Sequence, residues 1–263
     1  MTDPAATARA AREALISGLE GLGARLQDCR RLARIAFLAG ASSDAAQDRV
    51  LLRQHADGGW IDAEETAWCC AFLTARDVHR REALRGLGWL KDERLPGGGW
   101  GSSRRDYPRI PVTGLVLRLV GDSAGDSVDW NSMEGLWAQD LSADVQLTYK
   151  GGFYLMASAR WSGSAGSSIQ RTIAYLASAQ NDDGGFGPWR NHPIGSDPWS
   201  TGICLVGMCS FPELADRVVI ERAVEWLCKT QLPSGYWPYH FIDEGSAYAY
   251  WGLTEAIRLL EPD

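Results

Sequence analysis

Three carboxylic acids, Asp62, Glu64 and Glu65, open the stretch "IDAEETAW" at 61–68, just before an apolar run. A carboxylic acid that is kept protonated in a dry cavity can act as a general acid, and neighbouring carboxylates and hydrogen bonds set its acidity. The same spacing also fits a helix start, because Asp is a favoured N-cap and first-turn acids complement the helix dipole. Both interpretations are open on the residues alone.

A second candidate acid is Asp197, in "PWRNHPIGSDPWSTG" at 188–202. With Glu244 it could form the carboxylate pair of a glycosidase or lyase built on an α/α barrel. We keep that reaction as a weaker alternative.

Cationic side chains follow several glycine-rich turns. Arginine forks bind phosphate oxygens bidentately, so these residues predict an anionic ligand, such as the phosphate head of an apolar substrate. The alternative is that the cations only face solvent, with Arg104 and Arg105 paired to Asp106. The candidates are Arg104, Arg105, Arg109, Lys150, Arg190, His192 and His240.

Four aromatic residues on predicted buried helices could line an apolar cavity: Trp68, Phe153, Trp199 and Tyr250. Aromatic faces attract cations, although core packing is the simpler role for most of these rings. The chain lacks the Asp-Asp-x-x-Asp and Gly-x-x-x-x-Gly-Lys motifs and any two-His metal spacing. We therefore expect neither a metal nor a cofactor.

A repeat sets the elements that position these residues. "QHADGGW" at 54–60, "QNDDGGFG" at 180–187 and "QLPSGYW" at 231–237 share Gln, three residues, Gly, one residue and an aromatic. Two further copies are degenerate: Arg94 replaces the glutamine in "RLPGGGW", and "QDLSADV" at 139–145 keeps only Gln139. An amphipathic run precedes each copy and a more uniformly apolar run follows it. Each repeat is therefore predicted to be an outer helix, a glycine turn and a buried inner helix.

Residues 1–42 supply a further helix pair, and residues 43–263 supply five repeats. The sequence thus predicts one all-α domain over 1–263, an (α/α)6 toroid of six inner and six outer helices. We expect each glutamine to hydrogen-bond backbone at a neighbouring turn. The aromatic residues Trp60, Trp100, Phe186 and Trp237 should wedge between adjacent helix pairs.

These copies resemble the QW repeat of squalene-hopene and oxidosqualene cyclases, which also occurs in protein prenyltransferase β subunits. Class II cyclases carry an Asp-x-Asp-Asp-Thr-Ala motif after a Gly-Gly-aromatic turn. Asp62, Glu64, Glu65, Thr66 and Ala67 match that motif, with Glu at both later acid positions. The resemblance implies that Glu64 is the proton donor and that Asp62 and Glu65 tune it.

Fewer residues resemble those of the protein prenyltransferases. Arg190 and Lys150 match residues that hold diphosphate there, His192 is the nearest residue to a further lysine, and Asp197 matches a zinc ligand. Trp199 stands where the zinc cysteine would be. The zinc site is therefore expected to be missing.

Taken together, the resemblance implies a terpenoid cyclase of the isomerase or lyase type that acts on an isoprenoid or a similar apolar molecule. One alternative is a non-catalytic toroid that binds a lipid or a protein partner. Another is a zinc-less transferase similar to the prenyltransferases.

Bulk properties exclude several other classes. The net charge of −7 gives no global basic field for nucleic acid, and no apolar run is long enough to span a membrane. "MTDPAATARAAREALISGLEGLG" lacks a basic region followed by an apolar run, so we expect no signal peptide. The six cysteines are then expected to be reduced, and the protein is expected in the cytoplasm.

Overall fold

The computed structural model describes residues 3–23, 29–41, 44–77, 79–124, 130–160 and 166–261. Within these ranges the chain forms twelve α-helices and one short 3₁₀ helix at Gly121–Ala124, with no β-strand. The helices are α1 Pro4–Gly23, α2 Cys29–Leu38, α3 Asp44–Leu52, α4 Ala63–Ala75, α5 Arg80–Asp92, α6 Ile110–Val120, α7 Trp130–Leu141, α8 Thr148–Ser158, α9 Gly166–Ala179, α10 Pro198–Cys209, α11 Arg217–Thr230 and α12 Ile242–Leu260.

The helices fall into two compact units. Unit 1 contains Met1–Leu15 and Trp137–Asp263, and unit 2 contains Ile16–Leu136. In unit 2, α4 packs against α2, α5 and α6, whereas in unit 1, α10 packs against α8 and α12. The single domain expected for residues 1–263 stays a prediction.

The helices alternate between a half-buried and an almost completely buried kind. In α4 every residue from Glu65 to Leu73 is buried, and α10 is buried throughout 200–208. By contrast, α11 buries one stripe that includes Val219, Ala223 and Leu227. A helix that is apolar all round belongs to a core and an amphipathic one to a surface, which confirms the predicted sequence of outer and inner helices.

The repeated glutamines tie each turn to the next amphipathic helix. Gln180 Nε2 donates to Gly184 O in its own turn and to Val219 O in α11, both at 2.8 Å. Gln54 and Gln231 make the same pair of bonds, reaching Glu82 O at 2.9 Å and Thr7 O at 3.0 Å respectively. The predicted backbone bonds are therefore present at Gln54, Gln180 and Gln231, but the bond outside the turn reaches a helix and not a neighbouring turn.

The repeated aromatics join consecutive helices. Trp60 Nε1 donates to Val50 O at 2.8 Å, and its backbone N–H donates to Thr66 Oγ1 at 3.0 Å. A Cβ on Gly86 would lie 2.9 Å from the Trp60 ring, so the ring lies against α5 as well as α3, and the backbone of Trp60 binds α4. All four repeat aromatics are at most 1% exposed, as expected of residues wedged between helix pairs: Trp60, Trp100, Phe186 and Trp237.

The turn glycines are required for two reasons. Gly184 has a φ of 94°, which other residues rarely adopt. In addition, a Cβ at this position would lie 2.7 Å from Arg222 O in α11. Glycine is therefore what lets the turn approach the backbone of the next helix closely enough for the glutamine to bind it.

Replacing Gln180 with Leu is expected to lower the free energy of unfolding by about 1–3 kcal/mol, because two buried carbonyls lose their donor. The matched control is Gln139→Leu in the degenerate copy, where the side chain is exposed. It should change stability by less than about 0.5 kcal/mol. Denaturant unfolding monitored by circular dichroism measures both. Equal losses in the two variants would contradict the assigned role of the glutamine.

Candidate functional site

The acidic segment forms the start of the buried helix α4. Asp62 is its N-cap, and Asp62 Oδ1 accepts a hydrogen bond from Glu65 N at 2.9 Å. Glu65 is 2% exposed, and Thr66 supplies the hydroxyl that accepts from Trp60 N. The three acids therefore do form a helix start, with Asp62 as the N-cap. Glu64 lies in the first turn of that helix.

Arg30 of α2 joins two of these acids. Its Nη2 lies 2.5 Å from Asp62 Oδ2, and its Nη1 lies 3.1 Å from Glu64 Oε2. Both carboxylate side chains are 25% exposed and the arginine side chain is 27% exposed. Such part-buried ion pairs are screened less than surface pairs, so Arg30 fixes the relative positions of the two carboxylates.

Sequence reasoning missed Arg30. The available signal was the run "CRRLARI" at 29–35, where arginines interrupt a helix that is otherwise apolar and buried. Lys and Arg are almost never fully buried without a partner. Such residues in a predicted inner helix therefore point to acids on a neighbouring element, although they do not say which acids.

Asp197 occupies the equivalent position at the start of α10. Its Oδ1 accepts from Ser200 N at 2.8 Å and its Oδ2 from Ser200 Oγ at 2.7 Å. Thr201 Oγ1 accepts from Phe186 N at 2.9 Å, just as Thr66 does from Trp60. Asp197 therefore corresponds to Asp62, and the position of Glu64 is taken here by Trp199.

Asp197 is nevertheless an unusual carboxyl. It is 5% exposed, and burial raises its pKa above the ordinary value. The pKa of the Tyr239 phenol, in the same unit, is raised first by burial and then by the charges of Asp197 and Glu244.

Three of the candidate cations already have carboxylate partners. Arg104 pairs with Glu93, and Lys150 Nζ lies 2.7 Å from Asp140 Oδ1. The expected alternative pairing of Arg104 and Arg105 with Asp106 is wrong. Asp106 instead accepts from Arg109 Nε at 2.6 Å, because both residues lie in one loop three positions apart, and this contact lowers the pKa of Asp106.

The other candidate cations are exposed, except for His192, which is half-buried. Arg105 and Arg190 are exposed, and no ion pair to either occurs in the described parts of the chain. His192 packs its ring against Trp189 at 4.0 Å and accepts from Ile194 N through Nδ1. His240 is exposed.

Aromatic rings cluster on the inner helices of unit 1. Trp199 lies 5.2 Å from Tyr149, 6.3 Å from Phe153 and 5.9 Å from Tyr248, measured between ring centroids. Tyr250 of the same unit is 9% exposed. In unit 2, Trp68 is fully buried and meets the edge of Phe37. Contacts of this geometry account for packing and also present π faces.

Over the described ranges, no group of three or more His, Cys, Asp or Glu side chains could hold a metal ion. None of the described helices is both long and apolar enough to cross a bilayer.

No family model matches the chain. It is similar to two drimenyl diphosphate synthases, at 24% identity to that of Streptomyces showdoensis and 26% to that of Streptantibioticus cattleyicolor. These matches cover 72% and 73% of this chain, and the chain spans only 40% of the length of either relative.

Solved structures resemble the chain over nearly its whole length. A variant of the type II terpene cyclase MstE from Scytonema, in complex with geranylgeranyl dihydroxybenzoate as its substrate, is 16% identical. Its TM-score is 0.74, with 98% of both chains covered. A protein from Actinoplanes is 17% identical with a TM-score of 0.72, and the match covers 97% of this chain and 100% of that one. The chain therefore has the all-α toroid fold of the type II terpene cyclases, as its repeats predict, and is similar in sequence to part of the drimenyl diphosphate synthases.

Proposed function

We propose that the chain is a class II-type terpenoid cyclase that starts cyclisation of an apolar isoprenoid by protonating an alkene or epoxide. The observation that carries this proposal is the acid segment at the start of α4, held against Arg30. The drimenyl diphosphate synthase relatives and the fold shared with a terpene cyclase support the same reaction class.

Glu64 is the proposed proton donor. Asp62 uses one oxygen to cap α4 and the other to bind Arg30, so its carboxylate holds the helix start together. Glu65 lies in the buried part of α4. Asp197 repeats the capping geometry of Asp62, which favours a structural role for it as well. Glu64 is the part-exposed acid of its segment that is not used as the N-cap.

Arg30 has a defined part in this proposal. An alkene is a very weak base, so its donor must be a strong acid. A guanidinium 3.1 Å from Glu64 Oε2 stabilises the carboxylate that remains after the proton has left. The ion pair therefore corresponds to the deprotonated stage of the cycle, and Glu64 must take up a proton before each turnover.

The proposed step moves one proton. The O–H bond of Glu64 breaks, the alkene π electrons form a C–H bond, and a tertiary carbocation results. Further alkenes of the same chain then attack the cation, and loss of a proton ends the sequence. Within the unit that holds Glu64, the ring of Trp68, four positions further along α4, is the candidate for stabilising the cation.

We further propose that the isoprenoid substrate carries a phosphate head group. Among the candidate cations, Arg105 and Arg190 could bind phosphate without first releasing a carboxylate of the protein. Arg104, Arg109 and Lys150 would have to exchange partners, which weakens their contribution.

The test is product analysis with the full chain and farnesyl or geranylgeranyl diphosphate. We expect a cyclised product that retains its diphosphate, because protonation does not break the C–O bond. A non-catalytic binding toroid would return the substrate unchanged. A transferase would release diphosphate when an acceptor is added. Either of these results would contradict the cyclase.

We propose the cytoplasm as the compartment. Cys70 and Cys204 are free and buried, and burial raises the pKa of the Cys70 thiol to about 12. Thiols of this kind are stable in a reducing environment and support this location.

A further inference from the structure

We propose that unit 2 carries a second ligand site, in which Arg76 binds the anionic group of a small apolar molecule. The site is a cavity of about 310 Å³ between the ends of α2 and α4. That volume lies at the lower end of the range of small-ligand pockets. Its walls include Ala36, Phe37, Phe72 and Ala75, with Arg76 among them.

Apart from Arg76, the lining is apolar or glycine. Phe72 is 1% and Ala36 is 2% exposed, so these side chains are held by the core. The end of α2 is fixed by a backbone bond from Ala41 N to Ala36 O at 2.9 Å and by Gly40 in the left-handed region. This turn ends α2 beside the cavity, and a Cβ at Gly40 would meet nothing within 4 Å.

The guanidinium of Arg76 is only partly satisfied. Its Nη2 lies 3.6 Å from Asp44 Oδ1, and that aspartate side chain is 91% exposed. Its Nη1 is buried and has no hydrogen-bond partner among the residues that the structure describes. The helix dipole stabilises a cation at a helix C-terminus, but it does not supply a hydrogen-bond acceptor for a buried N–H group.

An anionic oxygen group on an apolar chain would pair with the guanidinium that lines the cavity, whose Nη2 lies 3.6 Å from the exposed Asp44. A carboxylate or a phosphate ester oxygen supplies the acceptor, and the tail fills the apolar walls. This site does not depend on the proposed cyclase. Arg76 follows Glu64 by twelve positions along α4, which is about 18 Å of helix.

Titration calorimetry with octanoate, octyl phosphate and octanol tests the proposal on the full chain. We expect both anions to bind in the micromolar to low millimolar range and octanol to bind at least about 10-fold more weakly. The two anions distinguish a carboxylate ligand from a phosphate ligand. Arg76→Gln should weaken both anions by about 10-fold or more and leave octanol unchanged.

Two further variants complete the test. Arg53→Gln removes an exposed arginine of the same unit away from the cavity and should change nothing. Ala75→Leu should weaken the anions and octanol alike, because the exposed Ala75 lines the cavity and a larger side chain would fill it. Equal affinity for octanoate and octanol, unchanged binding to Arg76→Gln, or no binding of either anion below about 10 mM would overturn the proposal.

Discussion

Glu64→Gln is expected to lower the rate of cyclisation by about 10²–10⁴-fold, the usual contribution of a general acid. The amide keeps the shape of the side chain and can still face Arg30 Nη1, now 3.1 Å from Glu64 Oε2, but it has no proton to transfer. Substrate binding should therefore remain, and kcat should fall. Product quantification by mass spectrometry and substrate titration by calorimetry separate the two effects.

The matched control is Glu82→Gln. Glu82 is also a first-turn acid, in α5, and its role is that of a helix-dipole residue. Its replacement should leave the rate within about 2-fold. If the Glu64→Gln protein forms the cyclised product as fast as the parent does, Glu64 is only a helix-terminal acid and Asp197 becomes the residue to replace.

Trp237→Ala is expected to lower the free energy of unfolding by about 3–5 kcal/mol, the range for buried large-to-small changes of aromatic residues. The indole is fully buried, and Trp237 Nε1 donates to Leu227 O at 2.8 Å. Its backbone N–H donates to Ser246 Oγ at 2.9 Å. The variant therefore loses a hydrogen bond and leaves a cavity between α11 and α12. Chemical denaturation measures the loss.

Val218→Ala in the same unit serves as the control, because Val218 is 61% exposed. It should cost less than about 0.5 kcal/mol. A loss below about 1 kcal/mol for Trp237→Ala would mean that the repeat aromatic does not hold adjacent helices together.

Most of the fold could be predicted from the sequence because the residues that define each repeat lie within a few positions of one another. The spacing of Gln180, Gly184 and Phe186 predicts a turn. The run before the turn is amphipathic and the run after it is apolar on all sides, which distinguishes an outer helix from an inner one. The sequence also predicts that Gln180 bonds to backbone, although the partner outside its own turn lies in a helix and not in a neighbouring turn. In the degenerate copy the glutamine pattern does not predict the structure, because the Gln139 side chain is exposed.

The candidate site could be predicted only in part. Asp62, Glu64 and Glu65 could be picked out because they are adjacent in sequence and match a motif. Arg30 could not be paired with them, because the two segments are 32 residues apart and meet only when α2 packs on α4. Ion pairs within loops, such as that of Arg109 with Asp106, depend on the loop conformation and could not be predicted from the sequence either.

The turn at 231–237 also determines when helix α1 can complete its packing during synthesis. Gln231 Nε2 donates to Thr7 O and Tyr236 OH donates to Ala14 O, contacts that span 224 and 222 residues of chain. Helix α1 is therefore synthesised long before these partners. Contacts of such high sequence separation slow folding, and the apolar stripe of α1 stays uncovered on this side until they form. We expect the nascent chain to be most prone to aggregation just before residues 231–236 emerge.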